Sequence, residues 1–560
     1  MSTGSDLLSR PEVRLTPELI EEYRATGAWR DVALGSYLSE AARRDPDRVA
    51  AVSVSGETGE RRGAVTYAGL DGLAGGISCG LAGLGIAAGD AVSILMPNRL
   101  EFEALLFGIL RLGAVYSGIP INYGPREAAF MLRRARSKVL VVPDAYRGRD
   151  FVEMARELRG SAPELENVVV LGEEAPNEPG WLTFDELANA EPSGTPTEVD
   201  PSSLAHIGFT SGTTGEPKGV MNTHQTLDAV LRRWVEHVGE GALGGSGLVN
   251  LIPSPVGHHT GFLWGALMSA YLGGTAVYLD RWEPEVAVEV MRREGVTAMI
   301  SAPTFLQDIA RVPGVGPDIL PSLRTVSIPG APIPRSLVPR AREQLGCFVC
   351  PSWGMTEWGI GISGRPGLAQ ERMEATDGVP VEGCEVRVMR GPDEVAGPGK
   401  IGELQIRGAG LFVGYYDRPD FTEGAIVDGW FQTGDQAMMD EDGFVSLLGR
   451  SKDIIIRGGQ NVPVHEVENL LHGHPAVVEV AVIGLPDERF GERACAVLVL
   501  EEGESLGLED VKDFLLSKGL STVFLPERVE VVEGLPKTMS GKVRKVELRE
   551  MFAREADTAG

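Results

Sequence analysis

Apolar residues in the first 300 positions form two kinds of pattern, namely short uninterrupted runs and longer stretches with helical spacing. Residues 91–96 and 139–142 are largely apolar runs, and a proline follows each of them. Residues 102–110, which lie between the two runs, place their apolar side chains at the period of an amphipathic helix. The pattern therefore predicts strand, helix and strand in succession.

The same alternation continues to residue 301. Strands that are apolar on both faces and separated by helices are typical of a parallel sheet covered by helices. The pattern predicts an α/β fold, with strands at about 50–54, 91–96, 139–142, 249–252, 275–279 and 298–301 and helices at about 67–84, 102–110 and 284–294.

The pattern changes after about residue 378. Short β-rich segments at 384–388 and 402–407 are separated by Gly and Pro turns. Such segments are typical of antiparallel sheet. We therefore expect a small, mostly antiparallel and barrel-like β subdomain at about 378–449.

From Arg450 onward the pattern predicts a separate small α+β unit, with strands at 478–483 and 494–500 and helices at 464–471 and 509–517. A chain of 560 residues also exceeds what one ordinary core accommodates. We expect a large N-terminal domain over 1–449, a hinge at 450–453 and a small C-terminal domain over 454–560.

The formal net charge of the chain is −27. Such a charge repels nucleic acid and anionic membrane surfaces, so the sequence predicts neither as a partner. A polyanionic substrate would need basic residues that are concentrated at its site.

The chain has five cysteines, an odd and sparse set that does not indicate a disulfide framework. Cys347 and Cys350 form a C-x-x-C pair within an apolar run, and we interpret them as buried strand cysteines. The first residues do not resemble a secretory signal, and no apolar run reaches the ~18 residues of a membrane span. We expect a cytoplasmic protein.

A glycine- and hydroxyl-rich segment at 209–220 is the strongest chemical signal. Small residues let backbone N–H groups and hydroxyls approach phosphate oxygens, and Lys218 adds a positive charge. The spacing differs from that of a Walker phosphate loop, and the alternative is a flexible Ser/Gly loop. We predict phosphate binding by Thr210, Ser211, Gly212, Thr213, Thr214, Gly215 and Lys218.

This segment resembles the phosphate loop of the adenylate-forming superfamily, which includes acyl-CoA synthetases, luciferases and nonribosomal adenylation domains. Four further segments resemble motifs of that superfamily and occur in the same order. They are Trp-Gly-Met-Thr-Glu at 353–357, Gly-Trp-Phe-Gln-Thr-Gly-Asp at 429–435, the hinge region at 449–459 and the lysine motif at 536–542.

The resemblance implies a nucleotide site. Thr356 would bind the α-phosphate, and Glu357 would hold Mg²⁺, a hard cation that prefers oxygen ligands. Trp353 would lie against adenine, and Asp435 and Arg450 would bind the ribose. A helix-capping Glu357 and a core Trp353 are the alternatives. The implied nucleotide contacts also include Gly330, Ala331, Pro332, Gly354 and Met355.

The resemblance also assigns the catalytic and mobile residues. Lys542 would bridge the carboxylate of the acid and the α-phosphate, although Lys537 and Lys545 lie nearby in the sequence. Lys452 would be the hinge residue of a rotating C-terminal domain. Gly458 and Gly459 would leave room for the pantetheine arm of CoA in a tunnel.

His258 matches a residue that separates the acyl pocket from the thiol tunnel in acyl-CoA ligases. Amino-acid-activating relatives usually carry an Asp nearby to pair with the ammonium of the substrate, and residues 256–259 contain none. We therefore expect a plain carboxylic acid. The predicted acyl-pocket residues are Trp234, Phe262, Pro329 and Trp358.

The resemblance implies an ATP-dependent acyl-CoA ligase for a medium-chain, branched or alicyclic acid, with ATP, Mg²⁺ and CoA. An adenylating enzyme that loads a carrier-protein thiol is one alternative. Pro329 and Gln460 depart from the usual pattern, so a variant that performs only thioesterification with a partner enzyme is another. A luciferase-like oxygenase and a nucleotide-binding regulatory protein are weaker alternatives, and a homodimer is left open.

Overall fold

The computed structural model describes residues 7–190, 198–210, 217–450, 455–457, 460–487, 490–538 and 541–558. Within these residues the chain forms two large sheets, a six-stranded sheet, a five-stranded sheet and one short hairpin, Ala145–Tyr146 with Arg149–Asp150. Helices cover the sheets. The α/β fold class predicted from the sequence is confirmed.

The first large sheet has nine strands in the described chain, and its central strands are parallel. Strands Thr275–Leu279 and Thr325–Ile328 are almost entirely buried, which explains their continuous apolar sequence. In spatial order the strands are Val379–Pro380, Gly359–Ser363, Phe348–Met355, Thr325–Ile328, Ala298–Ile300, Val249–Ile252, Thr275–Leu279, Val49–Val54 and Arg61–Thr66.

The second large sheet has eight described strands. It is parallel apart from the two strands at one edge, Gly414–Tyr415 and Lys218–Thr223, which pair antiparallel. In spatial order the strands are Gly414–Tyr415, Lys218–Thr223, Leu204–Thr210, Val115–Gly118, Ala91–Ile94, Val139–Pro143, Asn167–Leu171 and Trp181–Thr183.

One large apolar core joins the two sheets. It contains Phe102, Tyr116 and Phe262, all with almost no exposed surface. The helices in chain order are Pro17–Ala25, Ser36–Arg44, Tyr67–Gly83, Leu100–Leu112, Pro125–Ala135, Phe151–Ser161, Phe184–Ala188, His224–Val238, Glu240–Leu243, Gly245–Gly247 (3₁₀), Thr260–Leu267 (π), Met268–Leu272, Pro284–Glu294, Pro303–Ile309, Leu337–Leu345, Gln370–Ala375, Pro419–Ala425, Val464–His472, Leu508–Ser517, Thr522–Phe524 (3₁₀) and Lys545–Thr558.

The six-stranded sheet is antiparallel throughout the described residues, as predicted for the region after residue 378. Its long central strand pairs with three others. The strands are Glu394–Val395, Glu385–Gly391, Ile401–Arg407, Trp430–Met439, Ile426–Val427 and Val445–Arg450, the last of which pairs with Trp430–Met439.

All described strands of the five-stranded sheet come from residues after 454. The small α+β unit predicted for this part of the chain therefore has a sheet of its own. The strands are Gln460–Val462, Ile455–Arg457, Gly491–Leu500, Val477–Asp487 and Arg528–Val531, the last of which pairs with Gly491–Leu500. The domain limits, and the hinge at 450–453 in particular, stay predictions, because residues 451–454 lie outside the described residues.

The small C-terminal unit contacts the main body through polar side chains. The Gln307 amide donates a hydrogen bond of 3.0 Å to the carbonyl of Val478. Arg311 lies 3.6 Å from Glu501 in an ion pair. These two contacts place Val478 and Glu501 of the C-terminal unit against the helix Pro303–Ile309 and against Arg311, which follows it.

The cysteines are free, and Cys347 and Cys350 are buried as predicted. Cys350 lies within the strand Phe348–Met355. Within the described ranges, no helix combines the length and the apolar composition that crossing a membrane requires.

Glu103 is a carboxylic acid inside the main core. It lies on the helix Leu100–Leu112 with 0% exposure, and the Tyr278 hydroxyl donates a hydrogen bond of 3.0 Å to its Oε2 atom. No described residue gives its Oε1 atom a hydrogen bond. Burial raises the pKa of Glu103 to about 8, with the Tyr278 hydrogen bond partly opposing that rise.

We expect Glu103→Gln to reduce the decrease in the free energy of unfolding that accompanies a rise from pH 6 to pH 8. In this window the folded wild-type protein keeps a proton that the unfolded chain releases, so its free energy of unfolding falls as pH rises. One such group contributes at most ~1.4 kcal/mol per pH unit. Denaturant unfolding at several pH values measures the difference. The exposed Glu157→Gln should retain the wild-type slope, and equal slopes for all three proteins would contradict the expectation.

Candidate active site

A cavity of about 660 Å³ is lined by residues from the two large sheets, the six-stranded sheet and the C-terminal unit. Pro329 and Gly330 follow the strand Thr325–Ile328, and Thr356 and Glu357 follow Phe348–Met355. Ligands of α/β proteins usually bind at such carboxyl ends of parallel strands. The cavity is therefore the candidate active site.

The predicted phosphate loop connects two antiparallel strands at the edge of this cavity. Thr210 pairs with Lys218 at the open end of the ladder, and both residues line the cavity. The structure thus places both ends of the predicted loop at the site. The other predicted phosphate ligands lie outside the described residues; they are Ser211, Gly212, Thr213, Thr214 and Gly215.

Two aromatic rings surround the ammonium of Lys218. Its Nζ atom lies 4.8 Å from the ring centroid of Tyr415 and 4.7 Å from that of Phe421. Cation–π attraction of this kind stabilises a cation whose own side chain is flexible. The rings therefore hold the positive charge of Lys218 at the cavity wall.

Glu357 is buried at 5% exposure and still lines the cavity. The Tyr415 hydroxyl donates a hydrogen bond of 2.9 Å to its Oε1 atom. Burial raises the pKa of Glu357, partly opposed by that hydrogen bond and by the charges of Arg450 and Lys218. A buried carboxylate facing a polar cavity fits a Mg²⁺ ion that takes its other ligands from phosphates and water.

Asp435 lies between two donors on different elements. The indole Nε1 of Trp353 donates a hydrogen bond of 2.9 Å to Oδ2, and Arg450 Nε lies 3.2 Å from Oδ1. Asp435 and Arg450 are paired across the strands Trp430–Met439 and Val445–Arg450. Burial raises the pKa of Asp435, while the charges of Arg450 and Lys542 and the Trp353 hydrogen bond lower it.

The other predicted nucleotide contacts fall into two groups. Gly330, Gly354 and Met355 line the cavity. The half-buried Ala331 and the exposed Pro332 follow Gly330 and are not among the lining residues. Trp353 is partly buried, and its indole is directed to Asp435, so its predicted contact with adenine stays a prediction.

Lys542 lines the cavity together with Thr538 and Arg544. The backbone N–H of Lys542 donates a hydrogen bond of 3.1 Å to the Thr538 hydroxyl. The Thr538 N–H in turn donates a hydrogen bond of 2.8 Å to the carbonyl of Lys542. Of the three lysines considered from the sequence, Lys537 pairs with Glu479 and Lys545 pairs with Glu468 at 2.7 Å. The structure thus brings Lys542 to the candidate site.

Gly541 makes this approach possible. Its φ is +81°, and a Cβ atom at this position would lie 2.2 Å from the Thr304 hydroxyl. A residue with a side chain would therefore be both strained and too close to the main body. The absence of a side chain lets the backbone before Lys542 lie directly on the helix Pro303–Ile309.

His258 and His259 lie on a loop that enters the π-helix Thr260–Leu267. Asn98 holds this loop, because its amide donates to the carbonyls of Ile252 and Ser254 and its Oδ1 accepts from the N–H of Val256. Burial lowers the pKa of both histidines to about 4, so both are neutral at pH 7.

The predicted acyl-pocket residues do not all reach the cavity. Pro329 lines it, whereas Trp234, Phe262 and Trp358 are not among the lining residues. The ring of Trp234 packs 4.9 Å from that of Trp264, which does line the cavity, and its indole N–H donates to Ser363. Trp234 therefore lies one layer behind the wall.

Several cavity residues were missed by the sequence analysis. These residues are Tyr415, Phe421, Trp264, Arg544 and His259, which lie between the motifs or flank them. Arg544 is a basic residue two positions after Lys542, and this spacing was the sequence signal that could have identified it as a cavity residue. Three other predicted functional residues lie outside the described residues; they are Lys452, Gly458 and Gly459.

Comparison with known proteins identifies the class to which this site belongs. The model of the AMP-binding enzyme family matches residues 38–416, and that of the AMP-binding enzyme C-terminal domain matches residues 466–542. The chain belongs to the AMP-binding enzyme family. It is an AMP-forming acid–thiol ligase of the adenylate-forming superfamily.

Individual relatives are similar over nearly the whole chain. A medium-chain fatty-acid–CoA ligase of Escherichia coli is 32% identical over 98% of this chain and 97% of its own length. A fatty acid–[acyl-carrier-protein] ligase of Streptomyces coeruleorubidus is 32% identical over 85% and 89%. The structure of ATP-bound MatB from Rhodopseudomonas palustris has a TM-score of 0.82 at 26% identity and covers 94% of this chain and 99% of that one.

We expect Asp435→Asn to raise the KM for ATP about 10-fold or more. The amide keeps the shape of the side chain but loses the charge that pairs with Arg450 and the acceptor capacity of a carboxylate. The KM for the acid should change little. Steady-state assays with each substrate varied in turn measure both values. The exposed Asp513→Asn is the control, and an unchanged KM for ATP in Asp435→Asn would contradict the assignment.

Proposed function

We propose that this enzyme activates a carboxylic acid as an acyl-adenylate with ATP and then transfers the acyl group to CoA. The observation that carries the proposal is the position of Lys542. It lies in one cavity with Thr356, Glu357 and Arg450, although it comes from the C-terminal unit.

The first half-reaction joins two anions that repel each other. A carboxylate oxygen of the acid attacks the α-phosphorus, a new P–O bond forms, and the bond to the bridging oxygen of pyrophosphate breaks. Lys542 would lie between the carboxylate and the α-phosphate, and Thr356 would donate to the α-phosphate. Fixed positive charge at such a centre is commonly worth roughly 10²–10³ in rate.

The nucleotide would be held by groups on both sides of the cavity. Asp435 and Arg450 would bind the ribose, with Trp353 orienting Asp435. Lys218, held between its two rings, would face the β- and γ-phosphates. Mg²⁺ bound by Glu357 and the phosphates would neutralise charge on the leaving pyrophosphate.

In the second half-reaction a thiol sulfur attacks the acyl carbonyl carbon and AMP leaves with the bonding electron pair. His258 would lie between the acyl pocket and the path of the thiol. The E. coli relative, named a medium-chain fatty-acid–CoA ligase, supports CoA as the acceptor and a medium-chain acid as the substrate. Branched and alicyclic acids are the other substrates that the sequence resemblance implies. The relative named an acyl-carrier-protein ligase supports the alternative of a carrier-protein thiol.

We expect Lys542→Ala to abolish acid-dependent exchange of pyrophosphate into ATP and to spare CoA transfer from a supplied acyl-adenylate. The charge is needed only while the carboxylate and the phosphate approach each other. Isotope exchange and thioester formation measure the two half-reactions separately. Lys512→Ala, on the helix Leu508–Ser517 of the C-terminal unit and outside the cavity, should retain both activities. An equal loss of both half-reactions in Lys542→Ala would contradict the proposed role.

The acceptor is tested by trapping the adenylate first. Enzyme, ATP and an acid are incubated until AMP ester forms, and then either CoA or a carrier protein bearing its pantetheine arm is added. We expect rapid thioester formation with CoA. Thioester formation with the carrier protein alone would favour the carrier-loading function, and thioester formation only from a supplied adenylate would favour the thioesterification variant.

A further inference from the structure

Residues 10–14, which we call the N-terminal strap, lie against the edge strand Gly414–Tyr415. The N–H of Arg14 donates a hydrogen bond of 3.0 Å to the carbonyl of Val413. A Cβ atom at the first residue of the edge strand would lie 2.1 Å from the carbonyl oxygen of Glu12. The strap and the strand are therefore in direct backbone contact, which only a glycine at position 414 permits.

Apolar packing holds the N-terminal strap on the main body. Leu7, which precedes the strap, and Val13 within it belong to one apolar cluster with Met221 and Val413. Met221 lies on the strand Lys218–Thr223, which begins at the cavity. Burial of these side chains away from water fixes the strap beside two strands that reach the candidate active site.

Glu12 is a buried carboxylate on the N-terminal strap, with 3% of its surface exposed. Its Oε1 atom accepts a hydrogen bond of 3.2 Å from the N–H of Asp417 and lies 3.3 Å from Nε of Arg10. Arg10 in turn lies over the ring of Tyr416, 4.4 Å from its centroid. A carboxylate loses its hydration on burial, and these partners offset that loss and give the side chain one fixed position.

The hydrogen bond to Glu12 stabilises an uncommon turn. Asp417 has a φ of +57°, in the left-handed region that few residues other than glycine adopt. Such a conformation persists where surrounding contacts hold it. The ion pair between the Asp417 carboxylate and Arg136 is exposed, so it contributes little. The buried contact with Glu12 is therefore the stronger restraint on this turn.

Tyr415 connects the turn at Asp417 to the proposed phosphate site. Its hydroxyl donates a hydrogen bond of 2.9 Å to Glu357, and its ring centroid lies 4.8 Å from Nζ of Lys218. Both contacts depend on the direction of one side chain, which the backbone of the turn sets. A rotation of that backbone would weaken the two contacts together.

We propose that Glu12 is a positioning residue of the nucleotide site. It holds the turn at Asp417, and through that turn it directs Tyr415 towards the carboxylate and the ammonium at the cavity wall. The N-terminal strap thereby contributes to binding of the β- and γ-phosphates of ATP. Glu12 is not among the residues that line the cavity, so its effect passes through Tyr415. The inference rests on the proposed function, since it requires ATP as a substrate.

The test compares the binding of ATP with Mg²⁺ to that of AMP, which lacks the two outer phosphates. Calorimetry gives both dissociation constants without any turnover. We expect Glu12→Ala to weaken ATP binding about 5-fold or more and to leave AMP binding nearly unchanged. In acid-dependent pyrophosphate exchange the KM for ATP should rise by a similar factor, and the KM for the acid should change little.

Three further variants separate positioning from a general loss of structure. Glu12→Gln keeps an oxygen that accepts the Asp417 N–H and should retain most of the ATP affinity. Glu21→Ala, an exposed position on the helix Pro17–Ala25, should bind both nucleotides as the wild type does. Arg10→Ala removes the ion pair that orients Glu12, and it replaces Glu12→Ala if that variant does not fold. We expect from it a smaller loss, confined to ATP.

A double-mutant cycle tests the route through Tyr415. Tyr415→Phe removes the hydroxyl and keeps the ring, and combining it with Glu12→Ala should cost less ATP affinity than the product of the two single losses. Independent losses, equal losses for ATP and AMP, or unchanged ATP binding in Glu12→Ala would overturn the inference and leave the adenylation function intact. A wild-type enzyme that binds no ATP would overturn both.

Discussion

The concentration of positive charge around one cavity is the constraint on which the rest of the structure depends. The chain carries a formal charge of −27, so a nucleotide can approach only where cations outweigh the surrounding carboxylates. Lys218 and Arg450 come from the main body, and Lys542 and Arg544 from the C-terminal unit. Part of the charge is therefore present only while the two parts are in contact, and nucleotide binding and contact between the parts should favour each other.

The sheets hold the charged residues of the cavity in fixed positions. Thr210 and Lys218, the described ends of the predicted phosphate loop, lie at the ends of paired strands. Glu357 follows a strand that pairs parallel with Thr325–Ile328 and antiparallel with Gly359–Ser363. Asp435 and Arg450 face each other across a β-ladder that ends at residue 450. The predicted ribose contact is thus the last described feature before residues 451–454, where the hinge is predicted. Ribose binding and domain rotation would act on adjacent residues of one chain segment.

Much of the fold could be predicted from the sequence because the parallel strands are apolar on both faces. The strands at 139–142, 249–252 and 275–279 and the helix at 284–294 correspond closely to Val139–Pro143, Val249–Ile252, Thr275–Leu279 and Pro284–Glu294. Short edge strands such as Gly414–Tyr415 carry no such pattern and were not predicted. Within the site, Lys542 was found through its motif. Tyr415 and Phe421 were not, because their contacts with Lys218 join elements about 200 residues apart. Trp234 was placed in the pocket because the sequence does not reveal that Trp264 lies in front of it.

The close approach of Gly541 to Thr304 means that the contact between the C-terminal unit and the main body depends on the lack of a Cβ atom at position 541. A methyl group at position 541 would displace either the Thr304 hydroxyl or the backbone that carries Lys542. Where the backbone moves, every reacting group keeps its chemical identity, but the distance between the Lys542 ammonium and the α-phosphate of the proposed reaction grows. Geometry alone, without any loss of charge, would then be enough to slow the proposed adenylation step.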